Sequence, residues 1–351
     1  MTIFPHASLA RWFGRHKRSL PWRQNPTPYR VWISEIMLQQ TRVDAVIPYY
    51  LKFMKCFPTL RSLARAPEAS VLARWTGLGY YSRARNLHKT AKILARGGSR
   101  FPAEPSELIK LPGVGPYTAG AVASIAFDVP APIYDGNVRR VLSRFYLSRD
   151  DKALQKKSAE IVMQAHRAGV PASVFNQALM ELGALVCLPR NPACGSCPVG
   201  NACGAARKGV QALYPERLKA ALVVKQFHAL AVLTPPSGAK KFLVVRRPAA
   251  ERWLKDLWEF PMTTLPDAPG SRPLEDLSKA FETSLKTPVS LRKNIGKFRH
   301  SITHHDLRVF VFLGQADKAP PSAKWVGRAD MERLSASSML SKSLALLPKI
   351  L

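Results

Sequence analysis

Two acidic side chains and four cysteines set the chemistry available to this chain. Glu35 lies in VWISEIMLQQ, where helical spacing puts it on one face with Val31, Trp32, Leu38 and Gln39. A Glu taken alone is most often solvated. On an apolar face, however, a carboxyl is costly to ionise and its pKa should rise. One that keeps its proton near neutral pH can act as a general acid. Asp135 precedes the helical pattern of IYDGNVRRVLSRF and reads first as an N-cap. A carboxylate at a helix N-terminus is expected to stay ionised. Cys187, Cys194, Cys197 and Cys203 form C-x6-C-x2-C-x5-C. Four thiols within one short loop argue for a metal centre over disulfides in an intracellular chain. Zinc is one candidate, although zinc ribbons usually pair two C-x2-C knuckles and only one is present. A four-cysteine iron–sulfur cubane fits at least as well, and spacing alone leaves both open. Cys56 is expected to be a small buried hydrophobe.

These residues need elements to hold them. The stretch LPGVGPYTAG follows SELIKL, read as a short helix capped by Ser106, and opens a second helix, PYTAGAVASIAF, with Pro116 at its first position. Gly113 and Gly115 are expected to supply positive φ and room for a neighbouring backbone. The free amides at the second helix's start suit a phosphate. The plain alternative is an αα-hairpin turn. The chain has 351 residues, 53 Lys plus Arg against 23 Asp plus Glu, and a net charge of +30, a surplus whose first counter-charge is nucleic acid. With that charge, LPGVG resembles the helix-hairpin-helix motif of DNA repair proteins. No run of 18 apolar residues exists to span a bilayer. The N-terminal MTIFPHASLARWFGRHKR lacks the pattern of a secretory signal, so a cytoplasmic location, on the nucleoid if the cell is bacterial, is expected.

Residues 6–205 read mostly as helices, from the three-and-four spacing of apolar residues in VWISEIMLQQ, ASVLARWTGL, LHKTAKILAR, AGAVASIAF, VRRVLSRFYL and FNQALMELGALV. Residues 204–226 are basic and weakly patterned, and read as a linker. FHALAVL and KKFLVVRR read as strands flanking the turn TPPSGA, LRVFVFLG as another strand, and DLSKAFETSL and SMLSKSLALL as helices. The expected fold is multidomain, an all-α part followed by an α+β part.

A helix-hairpin-helix, then an Asp, then this cysteine spacing is similar to the endonuclease III superfamily. PWR, PYRVWISEIMLQQTRV, WTGLGYYSRARNLHK, LPGVGPYTAGAV, DGNVRRVLSR and NQALMELGALVC resemble its MutY family of adenine DNA glycosylases over about residues 9–205. The second part, with KDLWEFP, resembles more weakly that family's Nudix-like C-terminal domain, without the glutamate run of a Nudix catalytic box. The resemblance implies a [4Fe–4S] cluster on the four cysteines and double-stranded DNA as partner, bound by a monomer. It implies residues 1–20 with 130–205 as the cluster domain, 21–129 as a six-helix domain, 206–226 as a linker and 227–351 as the domain that recognises 8-oxoguanine. It implies removal of adenine mispaired with 8-oxoguanine or guanine, with Glu35 protonating the adenine ring, Asp135 stabilising or trapping the sugar cation, and Asn137 and Tyr117 supporting them. A raised Glu beside an ionised Asp is the pair glycoside cleavage uses. Protonated adenine leaves far better than its anion, so a Glu acid suits a purine.

The same resemblance places Arg18, Arg23 and Gln177 near the flipped adenine. Gln40 and Tyr80 would wedge into the stack beside the oxidised base, with Thr41 and Leu78 nearby and Tyr81 a rival wedge. Gly113 and Gly115 would grip the backbone. Thr303 and His304, with Ile302, would stand where the family often carries a Phe-Ser-His loop. In the superfamily's lyase branch a lysine follows LPGVG where Tyr117 stands here, so hydrolysis without strand cleavage is expected. Two other readings remain: a thymine–guanine or oxidised-pyrimidine glycosylase, and a non-catalytic iron–sulfur regulator.

Overall fold

The computed structural model describes residues 3–216, 222–248, 253–268, 273–331, 334 and 336–347. Two compact units emerge, one from residues 1–65 with 85–219 and one from 66–84 with 220–351. In chain order the helices of the first are α1 (His6–His16), α2 (Pro28–Leu38), α3 (Val43–Cys56), α4 (Leu60–Arg65), then α6 (Ser82–Arg96) after α5 (Glu68–Trp75) of the second unit. They continue as α7 (Pro105–Leu108), α8 (Pro116–Phe127), α9 (Gly136–Tyr146), α10 (Asp151–Arg167), α11 (Ala172–Leu185) and α12 (Gly204–Lys208). No helix among the described residues is long and apolar enough to cross a membrane.

Helix α8 is the axis of the first unit. It is buried from Thr118 to Ser124 and packs against both α2 and α11. Gly120 makes the approach possible, because a Cβ there would run into the Pro132 carbonyl. The segment that crosses α8 at that point leads directly to Asp135. Helix α7 begins with Pro105 at its first turn and Glu104 before it, so Ser106 sits inside the helix and does not cap it. Gly113 has φ +77°, and a Cβ on it would lie 2.7 Å from that of Asn86. Gly115 departs from expectation: its backbone is extended at φ −90°, ψ 177°. Cys56 also departs, since it ends α3 exposed rather than buried.

The start of the expected linker is ordered. Helix α12 packs on α9 and buries Ala205, and a 3-10 turn follows at Gln211–Leu213. Residues 217–221 of that stretch lie outside the described residues.

The second unit is α+β. Its strands are β1 (Val224–Thr234), β2 (Lys241–Arg246), β3 (Trp258–Glu259), β4 (Met262–Leu265), β5 (Val289–Ile302), β6 (His305–Ala316) and β7 (Ala323–Gly327). One sheet runs β4-β1-β6-β5 and the other β3-β2-β7. The strands flanking TPPSGA therefore do not pair; β1 lies parallel to β6 while β2 joins the other sheet. Helix α13 (Leu274–Leu285) buries Leu277, Phe281 and Leu285 against β5. Short α14 (Arg328–Met331) and α15 (Ser338–Leu344) complete the unit.

Candidate active site

A cleft of about 560 Å³ opens in the helical unit, and Glu35, Asp135, Tyr117, Asn137, Arg18, Arg23, Gln40, Thr41 and Gln177 all line it. Residues spread over 160 positions of sequence thus meet in one place. Glu35 comes from α2, which Thr27 caps by accepting the Arg30 amide and which Pro28 starts. The apolar flanks predicted for it are buried, Val31 at 3% and Trp32 at 1% exposure, and Glu35 itself is 6% exposed. Burial pushes its carboxyl up to about 7, against the opposing pull of a hydrogen bond from Tyr117, and the nearby Asp135 pushes in the same direction as burial.

Asp135 is the N-cap of α9, its Oδ1 accepting the Val138 amide at 2.7 Å. Asn137 donates to the other oxygen at 3.2 Å. Arg140 holds Asn137 in turn, donating to its Oδ1 at 2.8 Å and to the Gly183 carbonyl at 2.7 Å. A Cβ at Gly183 would come within 2.6 Å of the Asn137 Cβ, so the glycine is needed for α11 to pass so close. The helix N-terminus does not decide this carboxyl's titration. Burial outweighs the hydrogen bonds and moves it above the usual Asp range.

Of the two carboxyls, Tyr117 bonds Glu35. Its hydroxyl donates to Glu35 Oε2 at 3.0 Å, with Met180 Sδ at 3.2 Å, because α8 packs its first turn against α2. The phenol is thus a tether for the buried Glu rather than for Asp135.

Glu181 is a cleft residue that the sequence reading missed. It is 1% exposed and receives both arginines: Arg18 Nε and its amide reach Oε1 at 2.9 and 2.8 Å, and the Arg18 and Arg23 Nη2 groups reach Oε2 at 2.8 and 3.0 Å. Burial alone would raise this carboxyl; the arginines overcome it and hold it down at about 2. Arg23 also donates to Gln177 Oε1 at 3.1 Å. The only signal in the sequence was Glu181 standing four residues after Gln177, one helical turn along α11. The result is a fixed fork of donors and acceptors beside Glu35, suited to the polar edge of a flat heterocycle.

Cys187, Cys194, Cys197 and Cys203 line one small pocket between α9, α11 and α12, and none forms a disulfide. Among the described residues, no three His, Cys, Asp or Glu side chains come close enough to hold a single metal ion. Arg144 donates to Cys187 Sγ at 3.3 Å and Gln211 to Cys194 Sγ at 3.5 Å. Burial pushes the Cys197 thiol up to about 11, so its deprotonation needs a compensating cation.

The remaining predicted residues lie outside the cleft. Gly113 and Gly115 form the turn before α8. Leu78 and Tyr80 lie on a loop of the second unit. Leu78 is 7% exposed and is a packing residue, whereas Tyr80 is 44% exposed with φ +48°. Tyr81 is buried at 5%. Of the two tyrosines, Tyr80 is the one that faces solvent. Thr303 and His304 form the exposed two-residue tip joining β5 to β6, with Thr303 at φ +53°.

Residues 33–165 match the model of the HhH-GPD superfamily of base excision DNA repair proteins. The chain is 45% identical over 210 residues, 58% of each chain, to an adenine DNA glycosylase of Buchnera aphidicola subsp. Baizongia pistaciae. It is 34% identical over 332 residues to that of Buchnera aphidicola subsp. Schizaphis graminum, covering 89% of this chain and 88% of the other. In three dimensions it is similar to a thermostable thymine-DNA glycosylase, with TM-score 0.52 and 28% identity over 57% of this chain and 94% of that one.

Proposed function

The chain belongs to the adenine DNA glycosylase family of base excision repair enzymes, and from that premise we propose that it cleaves adenine from duplex DNA where it is mispaired with 8-oxoguanine or guanine, and stops at hydrolysis. The observation that carries this reading is the pairing of a Glu35 carboxyl pushed up to about 7 with Asp135 in one cleft.

In this reading the flipped adenine enters the cleft with its polar edge on Arg18, Arg23, Gln177 and Glu181. Glu35 gives its proton to a ring nitrogen, and the base departs neutral rather than as an anion. Asp135, oriented by Asn137 and the Val138 amide, faces the developing positive charge on the sugar. Water then completes hydrolysis. The free amides after Gly113 and Gly115 take a backbone phosphate, and Gln40 with Thr41 meets the DNA at the cleft's rim. Tyr80 stacks beside the base opposite the adenine, offsetting part of the few kcal/mol that flipping costs. Thr303 and His304, at the tip of the Nudix-like domain, contact the oxidised guanine, where the Thr303 hydroxyl can both donate and accept.

The four cysteines would hold a [4Fe–4S] cluster. Such a cluster would cross-link the loop that follows α11, and Arg140 ties that loop to Asn137 through the Cys187 carbonyl at 2.7 Å. The purified protein should be brown and contain about four irons per chain; a colourless, active preparation with one zinc overturns the assignment.

The function itself is tested by base release from duplexes carrying adenine, thymine or an oxidised pyrimidine opposite guanine or 8-oxoguanine. Free adenine from the 8-oxoguanine pair, faster than from the guanine pair, is expected. Release of thymine or an oxidised pyrimidine in preference to adenine refutes the substrate assignment.

A further inference from the structure

Both ends of the loop that carries Tyr80 meet at one carbonyl. Tyr81 Oη donates to the Ala336 carbonyl at 3.0 Å, and Thr76 Oγ1 donates to the same oxygen at 3.2 Å. Both lone pairs of that acceptor are thereby used. Ala336 is 3% exposed and bridges to Trp258, the start of β3. Between the two donors the backbone turns through Gly77 at φ +103°, Gly79 at φ +71° and Tyr80 at φ +48°. Glycine accepts such angles freely, but an aromatic residue does not, and it stays there only where its surroundings impose it.

The impositions are visible. Trp75 Nε1 donates to the Gly79 carbonyl at 3.1 Å, and Arg83 donates to the Leu78 and Gly79 carbonyls at 3.1 and 3.2 Å. The Arg83 guanidinium lies over both the Trp75 and Tyr80 rings at 5.5 Å. These contacts shape the loop internally. Thr76 and Tyr81, one at each end, tie it to Ala336, which bridges to β3.

We propose that Tyr81 and Thr76 are positioning residues for discrimination of the oxidised base, acting by fixing Tyr80 in its left-handed, exposed conformation through Ala336. The inference rests on Tyr80 stacking beside that base. A side chain held ready loses less freedom on binding, so the anchor increases affinity without touching DNA. It also makes the β-strand unit part of the apparatus that aims Tyr80, beyond any contact made at Thr303 and His304.

The test uses the full chain and single-turnover adenine release from 8-oxoguanine and guanine pairs. Tyr81→Phe keeps the buried ring and removes the hydroxyl; it should lower the ratio of the two rates by about 2- to 10-fold, the range of one net hydrogen bond. Tyr81→Phe with Thr76→Val should lower it further. Tyr80→Ala should lower it at least as much, and adding Tyr81→Phe to Tyr80→Ala should change nothing more, since the anchor acts through Tyr80. A merely structural tyrosine would lower Tm in Tyr81→Phe and leave the ratio unmoved, which overturns the proposal. So does a full, additive loss in the Tyr80→Ala background. If Tyr80→Ala itself leaves the ratio intact, the stacking role of Tyr80 fails, and the anchor's role with it.

Discussion

Glu35→Gln should release adenine about 10²- to 10⁴-fold more slowly than the parent chain, the usual contribution of a general acid. The substitution is nearly isosteric. The amide oxygen can still accept from the Tyr117 hydroxyl, which lies 3.0 Å from the carboxylate in the parent. What disappears is the transferable proton. The parent's rate constant should fall as pH rises through about 7, because that is where burial places the Glu35 titration. In Glu35→Gln this limb should vanish, leaving a low and flatter profile. The parent's stability should fall over a similar window. An acid whose folded pKa stands above its unfolded value favours the unfolded state once the unfolded carboxyl ionises. For Glu35 that penalty begins near pH 4.5 and levels off above about 7, where it amounts to roughly 3 kcal/mol. Glu35→Gln lacks this penalty and should melt at a higher temperature than the parent in mildly alkaline buffer. A variant that keeps the pH limb and activity within a few-fold of the parent removes Glu35 from proton transfer.

The cleft was partly legible in the sequence, for local reasons. An acidic residue amid Val31 and Trp32 at helical spacing announces a buried carboxyl, because the pattern that buries the helix buries its Glu as well. DGNV announces an N-cap at Asp135, because capping is decided within three residues. Glu181 was illegible because its role is decided by Arg18 and Arg23, which approach it from 163 and 158 positions away. Tyr117's partner had the same difficulty: choosing between two carboxyls 100 positions apart requires knowing that α8 lies on α2.

In the second unit, β1 and β6 showed as continuous apolar runs because both are central in their sheet. Strand β5 did not. It is an edge strand, carries Arg292, Lys293, Lys297 and Arg299, and breaks its alternation at irregularities between Leu291 and Lys293 and between Asn294 and Gly296. Its partner strand was therefore visible while the hairpin presenting Thr303 was not. Gly115 shows the reverse error. Two glycines in a tight turn invited one explanation, yet only Gly113 needs the left-handed backbone. At Gly115 nothing lies within 4 Å of where a Cβ would stand, leaving the space before α8 open to a phosphate.

Treatment of the parent enzyme with borohydride during turnover should trap no covalent DNA adduct, whereas Tyr117→Lys should gain one. Trapping requires an amine that attacks the sugar carbon, expels the base and forms an imine, which borohydride then reduces. A phenol has no nitrogen and cannot form that bond. Tyr117 is well placed for the comparison, since its hydroxyl reaches into the cleft beside Glu35, and Asp135 lines the same space. A lysine there would meet opposing influences. Burial favours its neutral, nucleophilic form, while Glu35 and Asp135 favour the ammonium. The variant should also lose the hydroxyl that tethers Glu35, so its adduct should accumulate slowly and its adenine release should drop. Labelled duplex on a denaturing gel reads both, as a shifted protein–DNA band and as strands nicked without added alkali. A strong shifted band from the parent chain would show an amine other than residue 117 at the sugar and end the reading of simple hydrolysis. A parent without adduct and a Tyr117→Lys variant that traps the sugar would place residue 117 within bonding distance of the reacting carbon. A variant that binds the mispair and traps nothing would instead confine Tyr117 to holding Glu35.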